Sequence, residues 1–230
     1  MENTSAKKGM LVGIVVALVI GMGGGYLIGK GMESDKDDSM NSSQQDVKTT
    51  DAAASLGITL DGLLREHVSS SLTVTRNIVD GASAEKQKGA EAAQTANAVA
   101  IANAVGSIYG DDAKTAITTP FVDHIMNSNN YAKAVASGDT AAQDASLTAL
   151  QANLRQVAAV FNSVIPSLSA DTLYDALNAH ETLLNDAVKE YKAGNYEKAY
   201  QLESQALTQI SGGAVALTGG IVASKPDMFK

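Results

Sequence analysis

Residues 172–195, TLYDALNAHETLLNDAVKEYKAGN, form the most regular amphipathic stretch of the chain. The side chains that share one face are spaced three or four residues apart: Leu173, Leu177, His180, Leu184, Val188 and Tyr191. This period is that of an α-helix with one buried side, so His180 is predicted to face a core. Gly194 lies fourteen residues after the histidine, where glycine can end a helix in the left-handed conformation at little cost.

The same pattern occurs twice more, because His67 leads to Gly81 and His124 leads to Gly138. The three histidines are separated by 57 and 56 residues, and the chain has no others. Recurrence at a nearly constant period indicates an internal repeat. We therefore predict an all-α, antiparallel bundle of about six main helices, built from three hairpins that each carry a histidine on the first helix.

The remaining helix boundaries follow from capping and helix-breaking residues. The second and fourth helices are predicted near residues 84–109 and 140–164. Pro120 predicts a bend or a fresh helix start, because the residue before a proline avoids the helical region. The glycine pairs at 212–213 and 219–220 predict a kink, a break or a close contact in the last helix.

The N-terminal region predicts a membrane anchor. After a polar tail at residues 1–8, residues 9–29 contain no charged side chain, and 21 helical residues span about 30 Å, the thickness of a hydrocarbon core. A cleavable signal peptide is the alternative, but the apolar run is long and lacks an Ala-x-Ala-like exit. Lys7 and Lys8 precede the run and acidic residues follow it, which predicts a single-pass cell-membrane protein with a cytoplasmic N-terminus and an extracytoplasmic bundle.

Within the predicted anchor, Gly21, Gly25 and Gly29 lie four residues apart and so share one helix face. Small residues at this spacing let a second helix approach, which predicts possible homo-oligomerisation. The alternative is that glycine is simply common in membrane helices.

Residues 30–57 are rich in Ser, Asp, Asn and Gln and have few large apolar side chains. Such a segment cannot offset its ordering entropy by burial, so it is predicted to be a flexible linker. The helical-bundle domain is predicted to cover residues 58–230, with its first helix starting after Thr59 or Asp61 as caps.

Charge and motif content exclude several function classes. The net charge is −8 and only 17 basic residues are present, which argues against a nucleic-acid partner. The chain has no cysteine, phosphate-binding glycine loop, His-Glu-x-x-His or Gly-x-Ser-x-Gly. We therefore predict that the protein is not an enzyme, while a haem or small-molecule carrier stays a minor alternative.

Two functional hypotheses remain. The favoured one is a structural or interaction module of the cell envelope with an envelope protein as partner. The alternative is a metal site, zinc or copper, formed by His67, His124 and His180, because these residues lie at matching positions on helices that run the same way. Three neighbouring acids could orient the rings: Glu66, Asp123 and Glu181. Against this, equivalent histidines in a repeat can also be ordinary packing residues.

Several short motifs resemble those of a known family: Leu64-Arg65-Glu66-His67, Tyr109-Gly110, His124-Ile125 with Tyr131, His180 with Thr182-Leu183, and the hairpin at 196–200. Over residues 58–230 the chain resembles poorly characterised bacterial helical-bundle proteins, some within larger secreted proteins that carry a copper-amine-oxidase-like N-terminal domain. Related sequences often have a His-His-Met run in the last helix. This chain has Thr208-Gln209-Ile210 there, followed by Gly212-Gly213, which weakens the metal role that the resemblance implies.

Overall fold

The computed structural model describes residues 50–230, and the regular structure of that part is entirely helical. Its long helices are α1 Asp51–Val79, α2 Ala84–Tyr109, α3 Asp111–Ser137, α4 Thr140–Val164, α5 Ala170–Lys192 and α6 Tyr196–Ser224, and a short 3-10 helix follows at Pro226–Phe229. The predicted all-α bundle with six main helices is confirmed for these residues. The described residues do not include the predicted tail at residues 1–8, the predicted anchor at residues 9–29 with Gly21, Gly25 and Gly29, or the predicted linker up to residue 49.

Three inner helices form the centre of the bundle, and three outer helices surround them. The inner helices α1, α3 and α5 pack against one another, and each outer helix packs between two of them: α2 between α1 and α3, α4 between α3 and α5, and α6 between α5 and α1. Every connection reverses the chain, so the inner helices run in the same direction. Side chains at matching positions on them therefore lie at one level of the core.

The three hairpin turns share one hydrogen-bond pattern. Gly81, Gly138 and Gly194 have φ values of 66°, 73° and 80°. In the second turn the Gly138 N–H donates to the carbonyl of Val135, and the N–H of the next residue donates to the carbonyl of Ala134. The other two turns make the equivalent bonds, which satisfy carbonyls at the helix end. The predicted turns at these glycines are confirmed.

The first helix begins earlier than predicted. It starts at Asp51 rather than after Thr59 or Asp61, and the Thr50 hydroxyl accepts the Ala53 N–H at 3.3 Å. Ala53 is buried, so even this alanine-rich start contributes a contact to the bundle. The prediction was wrong because it required large apolar side chains, whereas alanine is the best helix former and needs only a cap and a shallow contact. Residues 51–57 belong to α1 and not to a flexible linker.

Pro120 does not interrupt its helix. Of the predicted outcomes, the fresh helix start was wrong, because α3 is continuous from Asp111 to Ser137 with Pro120 inside it. Proline removes one backbone hydrogen bond, which usually breaks an isolated helix. Here Ile117, Phe121 and Ile125 continue one buried stripe past the proline, so core packing holds both sides in register.

The last helix also runs without a break through both glycine pairs. Of the predicted outcomes at these glycines, a close contact is found at Gly220, where an added Cβ would lie 2.7 Å from the Leu168 side chain. The Ser167 hydroxyl donates to the Gly220 carbonyl at 2.9 Å. Glycine is therefore required where the α4–α5 connection crosses α6.

Among the helices of residues 50–230, α6 is long and apolar enough to cross a membrane, with a mean hydropathy of 1.4 in its most apolar window. It lies at the C-terminal end of the chain and not where an anchor was predicted. Leu202, Ile210 and Leu217 on this helix are buried against the bundle. Core packing therefore accounts for one of its apolar faces.

Candidate functional site

The three histidines meet where the inner helices pack together. His67 lies on α1, His124 on α3 and His180 on α5, and they are 3%, 2% and 2% exposed. The centroid of the His67 ring is 5.8 Å from that of His124 and 6.1 Å from that of His180. The helical period brings them inward, and the common direction of the inner helices places them at one level.

Glu181 is the one acid of the predicted three that joins this cluster. It is 2% exposed, and its Oε1 lies 3.2 Å from Nε2 of His124. Glu66 and Asp123 are exposed on the bundle surface, so the prediction that they orient the rings was wrong. Successive residues of an α-helix are rotated by about 100°, so the residues before and after a histidine lie on different sides of the helix. Glu66 and Asp123 precede their histidines and point outward, whereas Glu181 follows its histidine and points inward.

Burial and mutual proximity set the charge of the cluster. Burial, with help from His124 and His180, lowers the pKa of His67 to about 3. Burial also lowers the pKa of His180. For Glu181, burial alone would raise the pKa, but the neighbouring His124 and the other two rings outweigh it and lower the pKa. At neutral pH the site therefore presents the Glu181 carboxylate and the neutral imidazoles of His67 and His180, which are oxygen and nitrogen ligands suited to zinc or copper.

Several polar atoms of the cluster are buried without a hydrogen-bond partner: Nδ1 of all three histidines, Nε2 of His180 and both carboxylate oxygens of Glu181. The contact between His124 and Glu181 is thus close in distance but lacks hydrogen-bond geometry. Buried polar groups are nearly always paired, so these unpaired atoms mark the cluster as a candidate binding site.

The rings do not converge on one point as they stand. Within residues 50–230, no three His, Cys, Asp or Glu side chains are arranged to hold a metal ion in common. Three rings bound tetrahedrally to one zinc ion would have centroids about 5 Å apart, because the Zn–N distance is about 2.0 Å. The rings of the cluster are 5.8 and 6.1 Å apart and tilted by 32° and 37°. Metal binding would require the ring centroids to approach by about 1 Å and the rings to turn toward a common point.

One amide from each outer helix bonds to the inner helix next to a histidine, and this feature was missed in the sequence. The three side chains donate at 3.0, 3.0 and 2.9 Å: Asn97, Asn153 and Gln209. Each acceptor is the carbonyl four residues before a histidine: Leu63, Pro120 and Ala176. The amides lie 56 residues apart, close to the period of the histidines, which was the signal that could have revealed them.

A second polar layer lies one turn beyond the histidines. Ser71 and Ser128, each four residues after a histidine, line a cavity of about 10 Å³ together with Leu184. Gln94 donates to the Ser71 hydroxyl at 3.0 Å and accepts from the Asn129 amide at 3.0 Å. A cavity of this size holds about one water molecule.

Comparison with protein-family models, with curated proteins and with solved structures gave no match to this chain. The resemblance to bacterial helical-bundle proteins therefore stays a prediction.

Proposed function

We propose that the bundle binds one divalent transition-metal ion, zinc or copper, between His67, His124, His180 and Glu181. The predicted anchor at residues 9–29 would hold it at the extracytoplasmic face of the cell membrane. The observation that supports this function is the meeting of three imidazoles and one carboxylate, from three different helices, with unpaired ring nitrogens and carboxylate oxygens.

The chemistry of the cluster favours a cation as the missing group. A buried carboxylate is costly without positive charge nearby, and among the rings only His124 lies against Glu181, since the pKa of His67 near 3 makes that ring unsuitable as a partner. A divalent ion supplies further positive charge and gives the unpaired Nε2 of His180 and the Glu181 oxygens an electron-pair acceptor. Three imidazoles and one carboxylate also make a four-coordinate set of the kind that zinc adopts. The ion would draw the rings inward by the roughly 1 Å that separates them from a coordinating arrangement.

The test uses full-length protein in detergent, stripped with EDTA and titrated with zinc or copper(II). We expect one ion per chain, a higher melting temperature with metal, and weaker binding as pH falls through the imidazole range. His124→Gln and Glu181→Gln should remove most of the affinity. Glu66→Gln is the matched control, because Glu66 is an exposed acid beside His67.

Two results would overturn this function. One is binding that never saturates near one ion per chain. The other is equal loss of affinity in Glu66→Gln and Glu181→Gln, since both would indicate adsorption to the acidic surface.

An interaction module is the second candidate function, and an aromatic cluster at the α5–α6 turn favours it. Tyr196 and Tyr200 are 52% and 50% exposed, and Tyr196 packs against Tyr191 at 5.1 Å between ring centroids. The Arg76 guanidinium lies 5.0 Å from the Tyr200 ring centroid. Tyrosine and arginine are enriched at protein interfaces, so an envelope protein could dock here.

A photo-crosslinking residue at Tyr200 in intact cells tests this candidate, with Val215 as the control because it is 71% exposed on the same helix. We expect one discrete adduct from position 200 and none from position 215. The same adducts from both positions, or none from either, would count against an interface at the tyrosines.

A further inference from the structure

We propose that Asn97, Asn153 and Gln209 are positioning residues that orient the three histidines and fix the tautomers of His67 and His180. Each amide oxygen accepts a hydrogen bond from one Nδ1–H, which at His67 and His180 leaves Nε2 unprotonated toward the centre of the cluster. The role of these residues in metal binding rests on the function proposed above, whereas their effect on the tautomers does not.

The first support is the way the donors of each amide are used. A carboxamide has two N–H donors and one acceptor oxygen. The Asn97 amide donates one hydrogen bond to the Leu63 carbonyl, one helical turn before His67. This bond fixes the amide beside the inner helix. Its oxygen is buried without a partner. The amide therefore offers an acceptor in the neighbourhood where the His67 ring lies.

The second support is that each histidine has an unpaired ring nitrogen and each amide has an unpaired acceptor oxygen. Nδ1 of His67 is buried without a partner, like the Asn97 oxygen. A neutral imidazole carries one N–H, and the bond made by one ring nitrogen decides which nitrogen holds the proton. Pairing the two groups satisfies a buried donor and a buried acceptor at once, which is the usual state of buried polar atoms.

The third support is that the same arrangement occurs at each histidine. In the second hairpin Asn153 bonds to the Pro120 carbonyl, and both its oxygen and Nδ1 of His124 are unpaired. In the third, the Gln209 oxygen and Nδ1 of His180 are likewise unpaired. The amide follows its histidine by 30, 29 and 29 residues. A histidine and a returning amide thus recur together, as a duplicated functional pair would.

The third pair is the closest to the proposed bond. Burial lowers the pKa of His180, and a contact with Gln209 acts in the opposite direction. The two side chains are therefore near each other, although their atoms fall short of full hydrogen-bond geometry. Histidines that bind metals usually donate their other ring N–H to an oxygen, which orients the ring and raises its basicity. The three amides supply such oxygens.

The experiment reads the tautomer directly, in metal-free, full-length protein with ¹⁵N-labelled histidine. Two-bond ¹H–¹⁵N correlation spectra at pH 7.5 distinguish Nδ1–H from Nε2–H. His67 is the reporter, since its pKa near 3 keeps it neutral at this pH. We expect Nδ1–H in the wild type and in the control Asn103→Leu, which changes an exposed asparagine on the same helix. Asn97→Leu should convert His67 to Nε2–H, because it removes the acceptor oxygen.

Zinc titration of the same variants separates this inference from the metal function. Asn97→Leu should weaken zinc binding about 10- to 100-fold, and Asn103→Leu should not. A tautomer that responds to Asn97→Leu without any zinc binding would sustain the positioning role and refute the metal site. Nε2–H in the wild type, or a tautomer unchanged by Asn97→Leu, would refute the positioning role even if zinc binds. If circular dichroism shows that Asn97→Leu is unfolded, Gln209→Met with His180 as reporter decides the same question.

Discussion

Acid should destabilise the metal-free bundle between pH 6.5 and 5, and His67 should account for much of the loss. The pKa of His67 is about 3 in the folded chain, against an ordinary value of 6.5 when unfolded. Below pH 6.5 the unfolded chain therefore binds a proton that the folded chain refuses. The contribution of neutral His67 to the free energy of unfolding is fully present above pH 6.5. Below that pH it falls by about 1.4 kcal/mol per pH unit. From pH 6.5 to 5, His67 alone should cost about 2 kcal/mol.

The neighbouring groups act in the same direction and define the pH range of the assay. The pKa of His180 is also lowered, so it adds to the slope below pH 6.5. The pKa of Glu181 is lowered despite its burial, through the nearby His124, so its contribution is present above about pH 4.5 and is lost only below it. Measurements that stop at pH 5 therefore report mainly His67 and His180.

Urea unfolding at pH 7.5, 6.5, 5.75 and 5.0 with EDTA, followed by circular dichroism, measures this slope. We expect at least about 1.4 kcal/mol per pH unit for the wild type below pH 6.5, and a slope lower by about that amount for His67→Gln. Glu66→Gln, a change at an exposed acid next to the histidine, should keep the wild-type slope. A flat profile, or equal slopes in wild type and His67→Gln, would mean that His67 is not held buried and neutral.

Three further predictions test the fold by urea unfolding. Gly194→Ala should destabilise by about 1 kcal/mol because of its φ of 80°, whereas Gly62→Ala, in open space within α1, should stabilise by up to about 1 kcal/mol. Gly220→Ala should destabilise by about 1–3 kcal/mol because its Cβ meets Leu168, and a neutral result would show that this side chain moves freely. Thr50→Ala should cost about 1 kcal/mol by removing the cap of α1, and no effect would indicate that the helix effectively begins later.

The sequence pattern predicted the structure correctly wherever local conformational preference and tertiary packing agree. The glycine turns could be predicted because Gly81, Gly138 and Gly194 each follow a periodic apolar stripe and adopt a conformation that favours glycine. The inward direction of the histidines followed from the same stripe. Their meeting at one level followed from hairpins that return the chain after each turn. None of these steps needs the identity of a distant partner.

The predictions failed where a distant contact overrides a local preference. Pro120 breaks a helix in isolation, but the buried side chains on both sides of it pack against neighbouring helices and hold α3 together. At Gly220 the sequence allowed a kink, a break or a contact, and only the position of Leu168 decides among them. The outer-helix amides were missed for the same reason. The role of Asn97 depends on its hydrogen bond to the Leu63 carbonyl, which lies on another helix.

The choice of acid shows how similar sequence segments can mislead when they are treated as equivalent. Glu66 and Asp123 both directly precede a histidine and therefore led to the prediction, yet that position faces solvent. The inward position after each histidine holds Val68, Ile125 and Glu181, so only one of the three inner helices places a charge there. Imidazole rings carry no negative charge with which to attract a cation. Glu181 supplies that charge, so the one inward side chain that differs among the three helices should dominate ion binding.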